Sequence, residues 1–166
     1  MLLDRFYPDC EADSAYNLPY EKLYELGYRG VLFDIDNTLV PHGAPATKKA
    51  VALFERLREI GFDTTLISNN KESRVKPFAD AVGSKYLYKA GKPSRNGYEK
   101  AMKLMNTRPG TTIFVGDQLF TDVWGAKRSG IFSYLTKPIH PKEEIQIVLK
   151  RRLEAIVLFF YHRKLR

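Results

Sequence analysis

Cysteine is nearly absent: Cys10 is the only one in 166 residues. No intrachain disulfide can therefore form, and neither a thiolate metal cluster nor a secreted disulfide framework can be built. A reducing cytoplasm is the expected setting. Long apolar runs are missing too, since none reaches the roughly 20 residues that span a bilayer. Residues 1–9 have neither the basic start nor the apolar stretch of a secretory signal. Internal repeats and low-complexity tracts do not occur. What remains is a chain of ordinary globular composition, 44% hydrophobic, long enough for one well-formed core.

Negative charge is scarce where the chain ends. Lys and Arg exceed Asp and Glu by 27 to 19, a net charge of +8. The excess is uneven: three against six in residues 1–30, sixteen against ten in 31–136, and eight against three in 137–166. A basic C-terminal segment suits an anionic partner, either a phospholipid surface or nucleic acid, although a positive surface also serves solubility alone.

From Gly30 on, short β-branched or aromatic runs alternate with longer segments of helical period, the pattern of βα units in a parallel sheet. Strands are predicted at 31–33, 64–67, 85–88, 112–115 and 131–134, and helices at 47–60, 73–82, 94–105 and 121–129. Gly61, Gly83 and Gly130 stand where helices stop before the next strand. The expected architecture is α/β: a single doubly wound, Rossmann-like domain with a five-stranded parallel sheet, helices on both faces, and the ligand site at the carboxyl ends of the strands. Residues 1–29, rich in tyrosine, are expected as an extension packed on this core, residues 30–136 as the core, and residues 137–166 as a separate basic, apolar-centred helix.

Polar residues follow the predicted strands where such a site would lie. Strand one runs into Asp34, Ile35, Asp36, Asn37 and Thr38, a loop with two carboxylates two residues apart. Close carboxylates stay ionised only if a cation or hydrogen bonds compensate, which suits a hard, oxygen-seeking ion such as Mg²⁺. Ser68 and Asn69 follow strand two, Lys92 follows strand three within Gly91-Lys92-Pro93, and Asp117 follows strand four with Asp122 five residues on. A hydroxyl at Ser68 suits a phosphoryl oxygen, Asp117 a metal, and Asp122 a metal-bound water. Taken singly each has a plain structural reading: Asx turns for the aspartates of the first loop, a cap for Ser68, a helix-start carboxylate for Asp122, and a solvated surface for Lys92. The order and placement of all of them together carry the functional reading.

In that order the residues resemble the four motifs of the haloacid dehalogenase superfamily: Asp34 to Thr38, Ser68, Lys92, and Gly116-Asp117 through Asp122. The resemblance covers about residues 30–136 and implies a phosphatase. It assigns Asp34 as the nucleophile forming an aspartyl-phosphate and Asp36 as general acid and base. It also assigns Mg²⁺ to the side chain of Asp34, to the backbone carbonyl of Asp36 and to Asp117, with Asp122 on a metal-bound water, and the substrate phosphate to Ser68, Lys92 and Asn69, the last through its backbone N–H.

Only residues 39–46 separate the first motif from the next helix, and only 71–91 separate Asn70 from Lys92, so no cap domain fits. An open site suits a phosphate carried on something large, unless an oligomer covers it. The chain further resembles a bacterial group of capless phosphatases similar to the mitochondrial phosphatidylglycerophosphate phosphatases, which implies a phospholipid substrate. Residues 153–161 are apolar except for Glu154 and are flanked by Lys150, Arg151 and Arg152 and by Arg163 and Lys164. As a helix they span about 14 Å, short of the ~30 Å hydrocarbon core, and would lie in a membrane interface with Ile156, Phe159 and Phe160 inward, or dock on the core or a second subunit. A nucleic-acid 3′-phosphatase, a soluble small-molecule or nucleotide phosphatase and a non-enzymatic RNA-binding module are the competing expectations; the intact acid set argues against the last.

Overall fold

The computed structural model describes residues 2–140 and 145–166. Six parallel strands form one sheet: β1 (Cys10–Ala12), β2 (Gly30–Phe33), β3 (Asp63–Ile67), β4 (Lys85–Leu87), β5 (Thr112–Gly116) and β6 (Phe132–Thr136). Their spatial order is β1-β6-β5-β2-β3-β4. The helices are α1 (Tyr20–Glu25), α2 (Lys48–Ile60), α3 (Glu72–Val82), α4 (Arg95–Met105), α5 (Trp124–Arg128) and α6 (Ile145–Lys164).

The expected count of five strands is corrected to six. The additional strand lies in the N-terminal extension, where Cys10, Glu11 and Ala12 pair with Tyr134, Leu135 and Thr136. Asp9 anchors it, its Oδ2 accepting from the Ser133 N–H at 2.8 Å and the Ser133 hydroxyl at 3.0 Å. The helix expected at 121–129 is also modified, beginning as a π-helical turn over Leu119–Val123 before α5. The segment expected as a helix from Pro138 on is helical over Ile145–Lys164; residues 141–144 lie outside the described residues.

Strand alternation divides the core. Val31, Phe33, Leu66, Ile113 and Val115 point into a cluster with Tyr20, Phe54, Leu57 and Phe78. Their neighbours Leu32, Ile67 and Phe114 point to the other face, against Tyr98, Ala101, Met102 and Ala126. A period of two with both faces covered is what a buried parallel sheet requires. Helices α2 and α3 end on Gly61 at φ 117° and Gly83 at φ 70°, left-handed positions that glycine adopts without strain.

A third cluster joins the two chain ends. Tyr7, Leu119, Val123, Leu135, Val157 and Tyr161 bury one another, and Lys164 pairs with Asp4 at 2.8 Å. Helix α6 thus docks on the core through one side, with Glu154, Val157 and Tyr161 buried. Its opposite side stays apolar and open: Leu149, Leu153 and Phe159 are each 57% exposed, Ile156 55% and Phe160 40%. The alternatives of docking on the core or presenting an apolar surface therefore coexist on one helix. Among the described residues no helix is long and apolar enough to cross a membrane.

Candidate active site

The strand order reverses between β2 and β5: the chain runs outward from β2 to β3 and β4, then returns to lay β5 on the other side of β2. A crevice opens at the carboxyl ends of the strands at such a switch point. Asp34 follows β2 there, Asp117 follows β5, and the Asp34 N–H donates to the Val115 carbonyl at 3.0 Å.

Asp34, Asp117 and Asp122 converge so that one oxygen of each lies within 4.8 Å of the others. Lys92 enters from the loop after β4 and donates from Nζ to Asp34 Oδ1 at 2.9 Å and to Asp122 Oδ1 at 2.7 Å. Its side chain is 4% exposed. The Thr38 hydroxyl lies between the two strand ends, 3.3 Å from Asp34 Oδ2 and 3.1 Å from Asp117 Oδ1.

Asp122 is held by the backbone it follows. Its Oδ2 accepts the N–H groups of Asp117 at 3.2 Å and Gln118 at 3.1 Å. A side chain at Gly116 would forbid this return, since a Cβ there would stand 2.5 Å from Asp122 Oδ2. The buried Tyr98 hydroxyl fixes the same turn, meeting the carbonyls of Thr121 at 2.9 Å and Asp122 at 3.1 Å.

The remaining expected residues fall around this cluster. Ser68 is buried at the end of β3, its Oγ accepting from the Asn70 N–H at 3.0 Å. The Asn69 side chain clamps the lysine loop, accepting from the Lys92 N–H at 2.7 Å and donating to the Lys92 carbonyl at 3.1 Å. Its side chain thus serves the loop, and a phosphate role would rest on its backbone N–H. The Asp36 carboxylate is not in the cluster; it accepts from the Gly43 N–H at 2.8 Å and from Arg74 Nη2 at 2.9 Å.

Helix α6 adds a contact the sequence did not reveal. The Arg151 guanidinium donates to both the carbonyl and the carboxylate of Asp117 and, at 3.1 Å, to Glu154 Oε2. Glu154 Oε1 in turn accepts the Leu119 N–H at 2.9 Å, tying α6 to the turn that carries Asp122. Glu154 was legible as the lone carboxylate in an apolar run; Arg151 gave no signal among its basic neighbours.

Burial and neighbouring charge explain the protonation tendencies. Asp34, Asp117 and Asp122 are gathered in a buried place around Lys92, while Arg151 is shared between Asp117 and Glu154. Burial, and then Asp34 beside it, push the Asp122 carboxyl up to about 6 against the pull of Lys92. Asp117 is raised for the same reasons, burial first, although Arg151 opposes the shift. Burial would lower Lys92, but Asp122 and Asp34 outweigh it and hold the ammonium above its usual range. Burial would likewise raise Asp36; the Gly43 N–H and Arg74 prevail and hold that carboxyl below its usual range.

An all-carboxylate donor set fits a hard divalent cation better than a soft one. Asp34, Asp117 and Asp122 are the residues present to hold it.

Residues 42–130 match the sequence profile of the haloacid dehalogenase-like hydrolases. A Bacillus subtilis protein named probable phosphatase YqeG is 34% identical over 99% of this chain and 96% of its own length. The chloroplastic/mitochondrial phosphatidylglycerophosphate phosphatase 1 of Arabidopsis thaliana is 30% identical over 95% of this chain, which spans 48% of that protein. A haloacid dehalogenase phosphatase from Thermococcus onnurineus shares the fold, with a TM-score of 0.54 at 15% identity over 70% of this chain and 90% of its own. The chain belongs to the haloacid dehalogenase-like hydrolase family. Within it, the chain is a phosphatase. The profile match begins after the loop that bears Asp34 and Asp36 and does not cover those two.

Proposed function

We propose that the chain is a Mg²⁺-dependent phosphomonoesterase that works through an aspartyl-phosphate on Asp34, with phosphatidylglycerophosphate at a membrane surface as its substrate. The observation that carries the reading is the convergence of Asp34, Lys92, Asp117 and Asp122 at the switch point. Bound Mg²⁺ would neutralise phosphoryl charge and orient the phosphate for in-line attack.

An Asp34 carboxylate oxygen forms a bond to phosphorus as the ester P–O bond breaks, and the departing alkoxide takes a proton from Asp36. Asp36, now a carboxylate, removes a proton from water, whose oxygen attacks the phosphorus. The bond to Asp34 breaks and releases inorganic phosphate, restoring both aspartates. Lys92 holds Asp34 in place and counters phosphoryl charge, and Ser68 offers its hydroxyl to a phosphoryl oxygen. In the state described, Asp36 is engaged by Arg74 and Gly43, so its proton transfers require that engagement to loosen.

The lipid substrate draws support from α6 and from the Arabidopsis relative. The exposed apolar side of the helix is accompanied by Lys150, Arg152 and Arg163, the combination that seats a helix in an anionic interface. Stable attachment of this kind needs both hydrocarbon and charge. Because α6 also completes the core, the test substitutes its exposed side alone. Leu153→Ser, Ile156→Ser and Phe160→Ser together should weaken binding to phosphatidylglycerol vesicles and slow hydrolysis of the lipid phosphate in them, while Asp34→Asn abolishes phosphate release with binding retained. Equal vesicle hydrolysis by the triple variant and wild type would remove the membrane part. Phosphate release by Asp34→Asn at the wild-type rate would remove the nucleophile.

A further inference from the structure

A cleft of about 540 Å³ opens between α6 and the carboxyl ends of β1, β6 and β5. It lies beside the catalytic crevice at the same edge of the sheet, and the two share Asp117. Arg151 stands at that shared end, held on Asp117 and Glu154. Ala12, Leu135, Pro138, Ala155 and Leu158 supply its apolar lining.

The charges at the cleft's rim are paired with one another. Lys137 meets Asp13 at 2.5 Å and His162 meets Glu11 at 2.7 Å, both exposed to solvent. A cleft with a largely apolar lining and rim groups engaged with one another gives little to the many hydroxyls of a sugar or the donors of a base, and much to a chain of methylenes. Ala155 is exposed, and Phe159 follows it one helical turn on, so the wall passes directly into the open apolar side of α6.

We infer that this cleft is the leaving-group subsite and receives the hydrocarbon portion of the alcohol half of a phosphomonoester whose phosphate lies at Asp34. This rests on the phosphatase reading and adds to it the place where chain length is read. Arg151 is a positioning residue here: it lines the end of the cleft nearest the catalytic crevice and holds Asp117.

The test uses monomeric n-alkyl phosphates from ethyl to hexyl, with Mg²⁺ and no vesicles, so that membrane binding plays no part. Binding is measured by calorimetry to Asp34→Asn protein. The Kd should fall with chain length, by at most about fourfold per added methylene, which is full burial of a CH₂. Adding Ala155→Trp, at an exposed position, should fill the cleft and flatten the series, with an unchanged melting midpoint showing that the fold is kept. In the active protein, kcat/KM for hexyl relative to ethyl phosphate should fall at least tenfold on Ala155→Trp. A flat binding series in the parent overturns the subsite, as does an Ala155→Trp protein that keeps the full dependence. Chain-dependent binding without turnover of any ester would uphold the subsite and remove the phosphatase reading; turnover with no chain dependence would do the reverse.

Discussion

Replacing Lys92 by methionine keeps the bulk and the apolar stem but removes the cation shared by Asp34 and Asp122 at 2.9 and 2.7 Å. The lysine is nearly inaccessible, so solvent cannot take over its role. Breaking a buried pair by removing one partner costs about 3–5 kcal/mol, because the remaining charge stays buried and uncompensated. In a protein of this size each kcal/mol moves the melting midpoint by about 2–4 °C, so a loss of about 6–20 °C is expected in EDTA at neutral pH. The pH dependence has a definite sign. Asp122 already lies near 6 in the folded protein, and without Lys92 it moves higher, while in the unfolded chain it stays near 3.8. A carboxyl raised on folding contributes stability at low pH that is lost as pH rises through its folded value. The gap between wild type and Lys92→Met should therefore narrow between about pH 8 and pH 5. Mg²⁺ should narrow it as well, by supplying the missing positive charge. Paired thermal melts across that range, with and without Mg²⁺, measure both effects. A loss below about 1 kcal/mol, or a gap indifferent to pH and Mg²⁺, would refute the claim that Lys92 compensates the cluster.

Three further outcomes follow from the same geometry. Chelation by EDTA should stop phosphate release and Mg²⁺ restore it, and Asp117→Ala should weaken Mg²⁺ binding measured by calorimetry at least tenfold; full turnover in chelator would contradict the site. Arg74→Ala removes a cation that holds Asp36 below its usual carboxyl range, so the limb of the kcat/KM profile on which activity falls as Asp36 loses its proton should move to higher pH, and a limb that stays or moves lower would assign the proton transfers elsewhere. Gly116→Ala should cost about 1–3 kcal/mol by overpacking and weaken Mg²⁺ binding too, since its Cβ would displace Asp122; a stable variant with wild-type affinity would show that the Asp122 return is not needed.

Much of this molecule was legible because a parallel sheet forces polar function to the carboxyl ends of apolar strands. Asp34, Ser68, Lys92 and Asp117 each interrupt the chain at such an end, so periodicity and residue type together located them. Strand β1 was not legible: Cys10–Ala12 is three residues long, too short for its single alternation to stand out, and the contact that anchors it joins Asp9 to Ser133 across 124 positions. The π-helical turn at Leu119–Val123 was also hidden, because it is held by the Tyr98 hydroxyl, 24 positions from Asp122, and by the Asp122 carboxylate turning back onto the N–H groups of Asp117 and Gln118. Asp36 shows the limit of assigning by motif. Its position in the loop was plain, but its partner Arg74 lies on α3, 38 residues away, and no local pattern announces that pair. The same distance problem applies to Arg151, read as one more basic residue flanking an apolar run.

The dependence of Asp117 on α6 has a consequence for the order in which the enzyme can be completed. Translation delivers every strand-end residue by Asp122, but the second cation of the cluster comes 29 positions later, as the difference between Arg151 and Asp122. A nascent chain folded through β6 would hold Asp117 without the guanidinium that grips its carbonyl and carboxylate, and the Leu119 N–H without Glu154. Helix α6 brings that cation and that carboxylate together, so the Asp117 carboxylate and the turn bearing Asp122 are fixed in the same docking step that closes the third cluster.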